Sequence, residues 1–457
     1  MIVYRARWIV PVAEPPIEDG AVGVDDGRIS FVGPHVDAPA AGESIDLGDV
    51  ILTPGLVNVH CHLELTAMRG FLEDLDFRRW ILRLNGARRA VLDRTALLDS
   101  ARLGVEEGIR AGITTYADTS ESGTPMQALR DAGVRGVMYQ EVFAPDPAQC
   151  DDALRGLVEK IAGLRYLETG LVRVGVSPHA PYTVSDRLFR ATADLARAQR
   201  LPIAIHIAES ELESQLVAHA AGAFADGLRQ RGIEVRPRAR SPIGLLADLG
   251  VLHAKPLLIH CVRVDAIDVA TIAGAACAVA HCPASNAKLG HGIAPLTDLM
   301  TAGVVVGLGS DSVASNNRMD ILDEARLALL AQRARLGSAE ALSARELLDL
   351  ATIEGARALG WDSEIGTLEV GKSADLAAFA FEAMRPIHDP VAALVFSTTG
   401  GHARFVMVAG RTLLRDGALV NPVPGLASRV QRSADALRDW LAGDGELLSE
   451  LQSANTR

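Results

Sequence analysis

The sequence predicts an α/β protein, a (β/α)8 TIM barrel carrying a small β-sandwich made from its two ends. Three observations lead there. Eight short apolar runs, 56–62, 112–118, 134–141, 172–178, 202–208, 257–262, 277–282 and 304–311, alternate with helical patterns. The span they cover, Leu56 to Asp311, is close to the ~250 residues of such a barrel. Short β-like runs with Asp/Gly turns flank that span on both sides.

Residues 1 to about 55 hold the runs Ile9-Val10-Pro11-Val12, Ala21-Val22-Gly23-Val24 and Arg28-Ile29-Ser30-Phe31-Val32, separated by turns such as Asp25-Asp26-Gly27. The same texture returns at 374–379 and 405–411, with an Asp416-Gly417 turn. The two ends are therefore expected to pair into one β-sandwich domain, residues 1–55 with 365–425, around a barrel of residues 56–364 closed by a helix near 343–360. Residues 426–457 are expected to form a C-terminal helix and tail. From Ala427 to Leu441 that helix is amphipathic, with Val430, Ala434, Leu437 and Leu441 on one face, which suits docking on the barrel or on a partner subunit in a homodimer.

Composition narrows the function classes. The chain has 457 residues, 49% of them hydrophobic and only 22% charged, enough apolar material for a substantial core. A net charge of −12 argues against nucleic acid or an anionic membrane as partner, leaving a small-molecule substrate. The N-terminus lacks the apolar core of a signal peptide and no apolar stretch reaches membrane-spanning length, so a cytoplasmic protein is expected. Five cysteines, at 61, 150, 261, 277 and 282, make no C-x-x-C pair, so neither a redox motif nor a zinc ribbon is indicated.

In a barrel of this kind the chemistry gathers at the C-terminal ends of the strands. Strand one ends in His60 and His62, whose i and i+2 side chains share a face and can grip one ion, while Cys61 points the other way. Strand four ends near His179, strand five in His206 three residues before Glu209, strand six in His260, strand seven near His281 and strand eight in Asp311. A single histidine among these would more often be a satisfied core residue. Polar residues at nearly every strand end converge on one place.

With these landmarks the sequence resembles the amidohydrolase superfamily, in its metal-dependent deaminase and chlorohydrolase branch. The resemblance rests on Pro54-Gly55-Leu56-Val57-Asn58-Val59-His60-Cys61-His62, Ser177-Pro178-His179-Ala180-Pro181-Tyr182-Thr183, His206-Ile207-Ala208-Glu209-Ser210, His281-Cys282-Pro283-Ala284-Ser285-Asn286 and the stretch from Gly309 to Asn317. It implies that His60, His62, His206 and Asp311 are metal ligands, that His260 faces the water the metal activates, and that Glu209 is a proton shuttle. Together with Asp311, Glu209 and His260 form the implied catalytic set. Three neutral imidazoles and a carboxylate suit Zn2+ first and Fe2+ second. Two-metal members bridge their ions with a modified lysine, and none of Lys160, Lys255, Lys288 and Lys372 ends a barrel strand, so one divalent metal per chain is expected.

The implied reaction is hydrolytic deamination of an amino-substituted heteroaromatic ring. Leu63-Glu64-Leu65, the stretch 76–84 and the insert 241–246 look most like aminofutalosine deaminases of menaquinone biosynthesis. Met68-Arg69-Gly70 and the Ser-Asn-Asn after Asp311 are shared with S-adenosylhomocysteine/methylthioadenosine deaminases. Guanine deaminases and triazine or cyclic-amide hydrolases are the outer neighbours. Candidate substrate contacts are Trp80 by stacking, Glu64 by a ribose or carboxyl hydrogen bond, Arg83 and His179. Packing and solvation are the plain alternatives for Trp80 and Arg83, and for most of the arginine-rich run from Arg229 to Arg240. A non-enzymatic metal-binding protein on a retired barrel is the remaining class, and it would be expected to lack a ligand or the shuttle.

Overall fold

The computed structural model describes residues 1–40, 42–398 and 403–445. β1 (Ile2–Ile9) pairs antiparallel with β2 (Ile17–Asp25), and a turn at Asp26 and Gly27, φ +45° and +75°, returns the chain as β3 (Arg28–Pro34). Two left-handed residues suit the hairpin turn that matches strand twist. The run expected at 9–12 is shifted forward, because Pro11 has no N–H for a ladder and Val12 turns at φ +73°. β4 (Glu43–Asp46) and β5 (Val50–Pro54) then lie parallel to β1.

Eight parallel strands follow. β6 (Leu56–Cys61), β7 (Ile113–Ser120), β8 (Arg135–Val142) and β9 (Val172–Pro178) form one four-stranded sheet. β10 (Ala204–Ile207), β11 (Leu257–His260), β12 (Val279–His281) and β13 (Val306–Leu308) form another. Single parallel bridges join the two sheets at both seams, Val176 with Ile203 and Cys61 with Asp311. β10, β11 and β13 are shorter than expected because the backbone swings away at Ala208, His260 and Asp311, with φ of +51°, +77° and +56°. These strands read as unbroken apolar runs because helices cover one face and the strands' own side chains fill the other.

The chain ends in β14 (Leu376–Ala380), β15 (Ala403–Val408), β16 (Arg411–Arg415) and β17 (Ala418–Leu419). The two termini pair as expected, β5 antiparallel to β14 with Pro54 opposite Leu376 and Val50 opposite Ala380. Hydrogen bonding makes one nine-stranded sheet, a path of eight strands in the order β17-β16-β15-β14-β5-β1-β2-β3 with β4 off the path on β1. Residues alternate between two cores, as the period of two requires. Val50, Leu52, Leu376 and Ala378 join Tyr4, Val22 and Phe405 on one face. Ile51, Ala377 and Phe379 join Ile109, Ile113 and Leu129 on the other.

The amphipathic C-terminal stretch docks on its own chain. The helix Leu426–Trp440 buries Leu437 completely among Met68, Phe77, Trp80 and Leu84, and Val430 against Ala67. Arg429 pairs with Asp99 through Nε and Nη2, at 2.6 and 3.1 Å. The tail expected at 446–457 lies outside the described residues. Among those residues, no helix is long and apolar enough to cross a membrane.

Candidate active site

The polar strand ends meet in one place. Nε2 of His60 lies 3.2 Å from Oδ1 of Asp311, and Nε2 of His62 lies 3.4 Å from the same oxygen and 3.3 Å from Nε2 of His206. Donors 2.0–2.1 Å from a shared ion in a tetrahedral cage stand roughly 3.3 Å apart, and these three gaps match edges of such a cage. Two imidazole nitrogens facing each other at that distance repel unless a cation or a proton lies between them. The donor set, three nitrogens and one carboxylate oxygen, fits zinc or iron. Close approach is part of the design: a Cβ on Gly309 would stand 2.8 Å from Cβ of His60.

Strain and charge are concentrated here. His260, Cys261 and Asp311 are non-glycine residues in the left-handed region, at φ +77°, +47° and +56°. Each costs roughly 1–2 kcal/mol, sustained by the packing around it. Burial pushes His60 down to about 4, and takes His206 well below the ordinary histidine range with help from His179 and His60, so both rings are held neutral. Burial alone would raise Asp311, but the hydrogen bond and charge of His60, with His62 and His260, hold it well below the usual carboxylate range. Its Oδ2 accepts from the hydroxyls of Ser285 and Ser315, leaving Oδ1 toward the histidines.

Glu209 stands beside this cage and outside its edges. Its Oε1 is 3.3 Å from Nε2 of His291 and 3.5 Å from Nε2 of His260. Burial works to raise its pKa, yet the facing His260 and His291 bring it below the ordinary value. Nδ1 of His260 is 3.0 Å from Oδ1 of Asn286, so this asparagine braces His260. Behind Glu209, the fully buried Glu213 accepts from the backbone N–H groups of Ala208 and Glu209 at 2.8 and 3.0 Å. Burial raises Glu213 to about 8, and those two N–H groups act against the shift.

Residues 51–413 match the profile of the Amidohydrolase family. The chain belongs to the amidohydrolase family. It is 32% identical over 422 residues to a 5-methylthioadenosine/S-adenosylhomocysteine deaminase of Moorella thermoacetica, covering 91% of this chain and 94% of that one. It is 33% identical to a 5'-deoxyadenosine deaminase of Methanothermobacter thermautotrophicus, covering 88% and 91%. Among solved structures, a zinc-bound adenosine deaminase from Xanthomonas campestris superposes with a TM-score of 0.86 at 28% identity, covering 96% of this chain and 98% of that one. Helicobacter pylori aminofutalosine deaminase, at 20% identity and a TM-score of 0.77 over 91% of this chain and all of that one, shares the fold.

In this amidohydrolase the expected substrate contacts fare unequally. Trp80 is buried in an apolar cluster with Met68, Leu84 and Leu437, stacked on Phe77 at 6.3 Å, and its buried Nε1 has no partner. Phe77 in turn meets His291 edge-on at 4.4 Å, so an aromatic chain runs from Trp80 to the histidine facing Glu209. The ring of His179 lies 4.7 Å from that of His206, tilted by 36°, and its Nδ1 is held 2.8 Å from the Thr183 hydroxyl. Burial pushes it down to about 3, with the neighbouring His62 adding to the effect. Glu64 is buried and already engaged: Ser120 and Ser122 donate to Oε2, and Arg88 pairs with Oε1 at 2.9 Å. Arg88, five residues beyond Arg83 in the helix Phe77–Val91, thus supplies the guanidinium at this corner, while Arg83 is half-buried on the same helix. Arg238 and Arg240 of the arginine-rich run are spent on Asp186, Asp265 and Asp268.

Sequence reasoning missed His291, Arg88, Glu213 and the hydroxyls of Ser285 and Ser315. His291 carried a weak signal, a histidine between two glycines after strand seven. It also left Glu141 without a role. This carboxyl is buried, its Oε1 has no partner, and it lies with His179 and His206 in a group whose ligand atoms are within 4.8 Å of one another. Burial, reinforced by the charge of Glu64, raises it to about 8.

Proposed function

We propose that this enzyme hydrolytically removes the 6-amino group of a purine nucleoside, with His60, His62, His206 and Asp311 holding one divalent metal and Glu209 moving the proton. One observation carries the reading: a cage of donors 3.2 to 3.4 Å apart with a buried carboxylate beside it that is paired with imidazoles and is not part of the cage. A ring nitrogen needs a proton donor at that position, whereas a purely structural metal site does not. Zinc suits the donor set best, and iron remains the alternative. Bound there, the metal would supply a water acidic enough to ionise near neutral pH.

Every other step belongs to side chains. Oε1 of Glu209 takes one proton from the water and delivers it to the ring nitrogen next to the amine-bearing carbon. As the water oxygen adds to that carbon, its second proton passes through the carboxylate of Asp311 to the amine, the carbon–nitrogen bond breaks, and ammonia leaves a 6-oxopurine. Nε2 of His260, opposite Glu209, orients the attacking oxygen. Trp80 offers an aromatic face and an unpaired N–H to the nucleoside, and His179 a neutral imidazole.

The relatives support adenosines altered at the 5'-position, with methylthioadenosine, S-adenosylhomocysteine and 5'-deoxyadenosine as the first group. Aminofutalosine, and with it a place in menaquinone biosynthesis, rests on the stretches 63–65, 76–84 and 241–246 together with a likeness of fold. Ammonia release measured across these four nucleosides, adenosine, adenine, guanine and a triazine, with metal content on the same sample, tests the assignment. Faster turnover of guanine or the triazine than of every adenosine derivative would overturn the substrate class and leave the metal site standing.

A further inference from the structure

Glu209 leaves the sheet on a strained piece of backbone. β10 ends at Ile207, Ala208 turns at φ +51°, and the next helix does not begin until Glu211. The N–H groups of Ala208 and Glu209 therefore have neither a ladder nor a helix to receive them, and a buried N–H left without an acceptor is destabilising. One side chain takes both. Oε1 of Glu213 accepts from Ala208 and Oε2 from Glu209, and Glu213 itself is anchored because its own N–H donates to the Ser210 side chain at 3.3 Å. A first-turn glutamate ordinarily reaches back to the N-cap residue alone. Here it reaches one and two residues further, onto the residue that faces His260 and His291.

We propose that Glu213 is a positioning residue for the deamination: it fixes the backbone at Ala208 and Glu209 so that the Glu209 carboxylate stays aimed between His260 and His291. Glu213 touches neither the donor cage nor the expected substrate position, and its carboxylate is fully buried. An alanine held left-handed would relax once its N–H lost that acceptor, and Glu209 would swing with it. The proposal rests on the deaminase reading above.

Glu213→Gln keeps the shape of the side chain and one acceptor, but turns an NH2 group toward a backbone N–H. It should lower kcat by roughly 10- to 100-fold, the scale of a small misplacement of a reacting group, with KM within about threefold and metal content unchanged. Glu213→Ala should lower kcat further, so that Gln is a partial rescue. Ser343→Ala, which removes the cap of a distant helix, serves as a control for stability alone, lowering the denaturant midpoint with kcat intact. Hydrogen exchange at the amides of Ala208 and Glu209 reads the clamp without substrate, and it should quicken in both Glu213 variants. Wild-type kcat in Glu213→Gln, a loss of kcat that follows metal loss, or unchanged amide exchange would overturn the proposal. Faster exchange in a protein that deaminates no nucleoside would refute the functional reading and leave the clamp in place.

Discussion

Replacing Glu209 by glutamine separates proton transfer from metal binding and from shape. Glutamine is nearly isosteric, so the contacts of Oε1 with His260 and His291, at 3.5 and 3.3 Å, can be kept while the transferable proton is lost. General acid–base catalysis contributes typically 10²–10⁴-fold, or roughly 3–5 kcal/mol at about 1.4 kcal/mol per decade. The surroundings place the loss above the lower end of that range, near its middle, because the neighbouring carboxylates are already engaged. Oδ2 of Asp311 holds two serine hydroxyls, Glu213 holds two backbone N–H groups, and Glu64 is bound by Arg88, Ser120 and Ser122. We expect kcat to fall by about 10³-fold, with metal stoichiometry unchanged and the dissociation constant of the 6-oxo product changed by less than about fivefold. The assay is ammonia release under saturating substrate, paired with elemental analysis and equilibrium binding of the product. Loss of metal would make Glu209 a ligand, and a fall in kcat of less than about tenfold would mean that another group carries the proton.

His60→Ala should lose the metal and all turnover, and elemental analysis of the wild type should give one ion per chain; two tightly held ions would contradict the cage described above. Glu141 has a pKa raised to about 8 in the fold against 4.5 ordinarily, so its contribution to stability is full below about 4.5 and is lost as pH rises through about 8. Glu141→Gln should therefore flatten the decline in stability between those values in urea titrations, and an unchanged slope would refute the shift. Leu437→Ala empties a fully buried position against Trp80 and Leu84, and should cost about 2–5 kcal/mol in denaturant unfolding while raising KM through Trp80; a variant of wild-type stability would show that the last helix does not brace this wall.

The sequence by itself determined the order of the strands, the meeting of the chain ends and the polar residues that end the strands. Each of these is local or periodic information. His60 and His62 share a face because a strand repeats every two residues, and the other polar residues were visible because each ends an apolar run. Length and turn chemistry set where the runs stop to within a few residues, failing where the backbone turned left-handed at Ala208, His260 and Asp311.

Only the tertiary structure decided which polar groups were still free. Glu64 and Arg83 were reasonable substrate contacts from their positions after His62 and in the next helix. In the fold Glu64 is saturated by Arg88, 24 residues along, and by two serines at the end of β7. His291, Ser285 and Ser315 reach Glu209 and Asp311 across gaps in sequence that no spacing rule measures. The C-terminal helix likewise chose its own chain, through Leu437 and the Arg429–Asp99 pair, where an apolar face alone left two surfaces equally open. The physical reason is the same in each case. Periodicity dictates the direction in which a side chain points, whereas hydrogen-bond saturation and burial depend on what other segments bring to the same point.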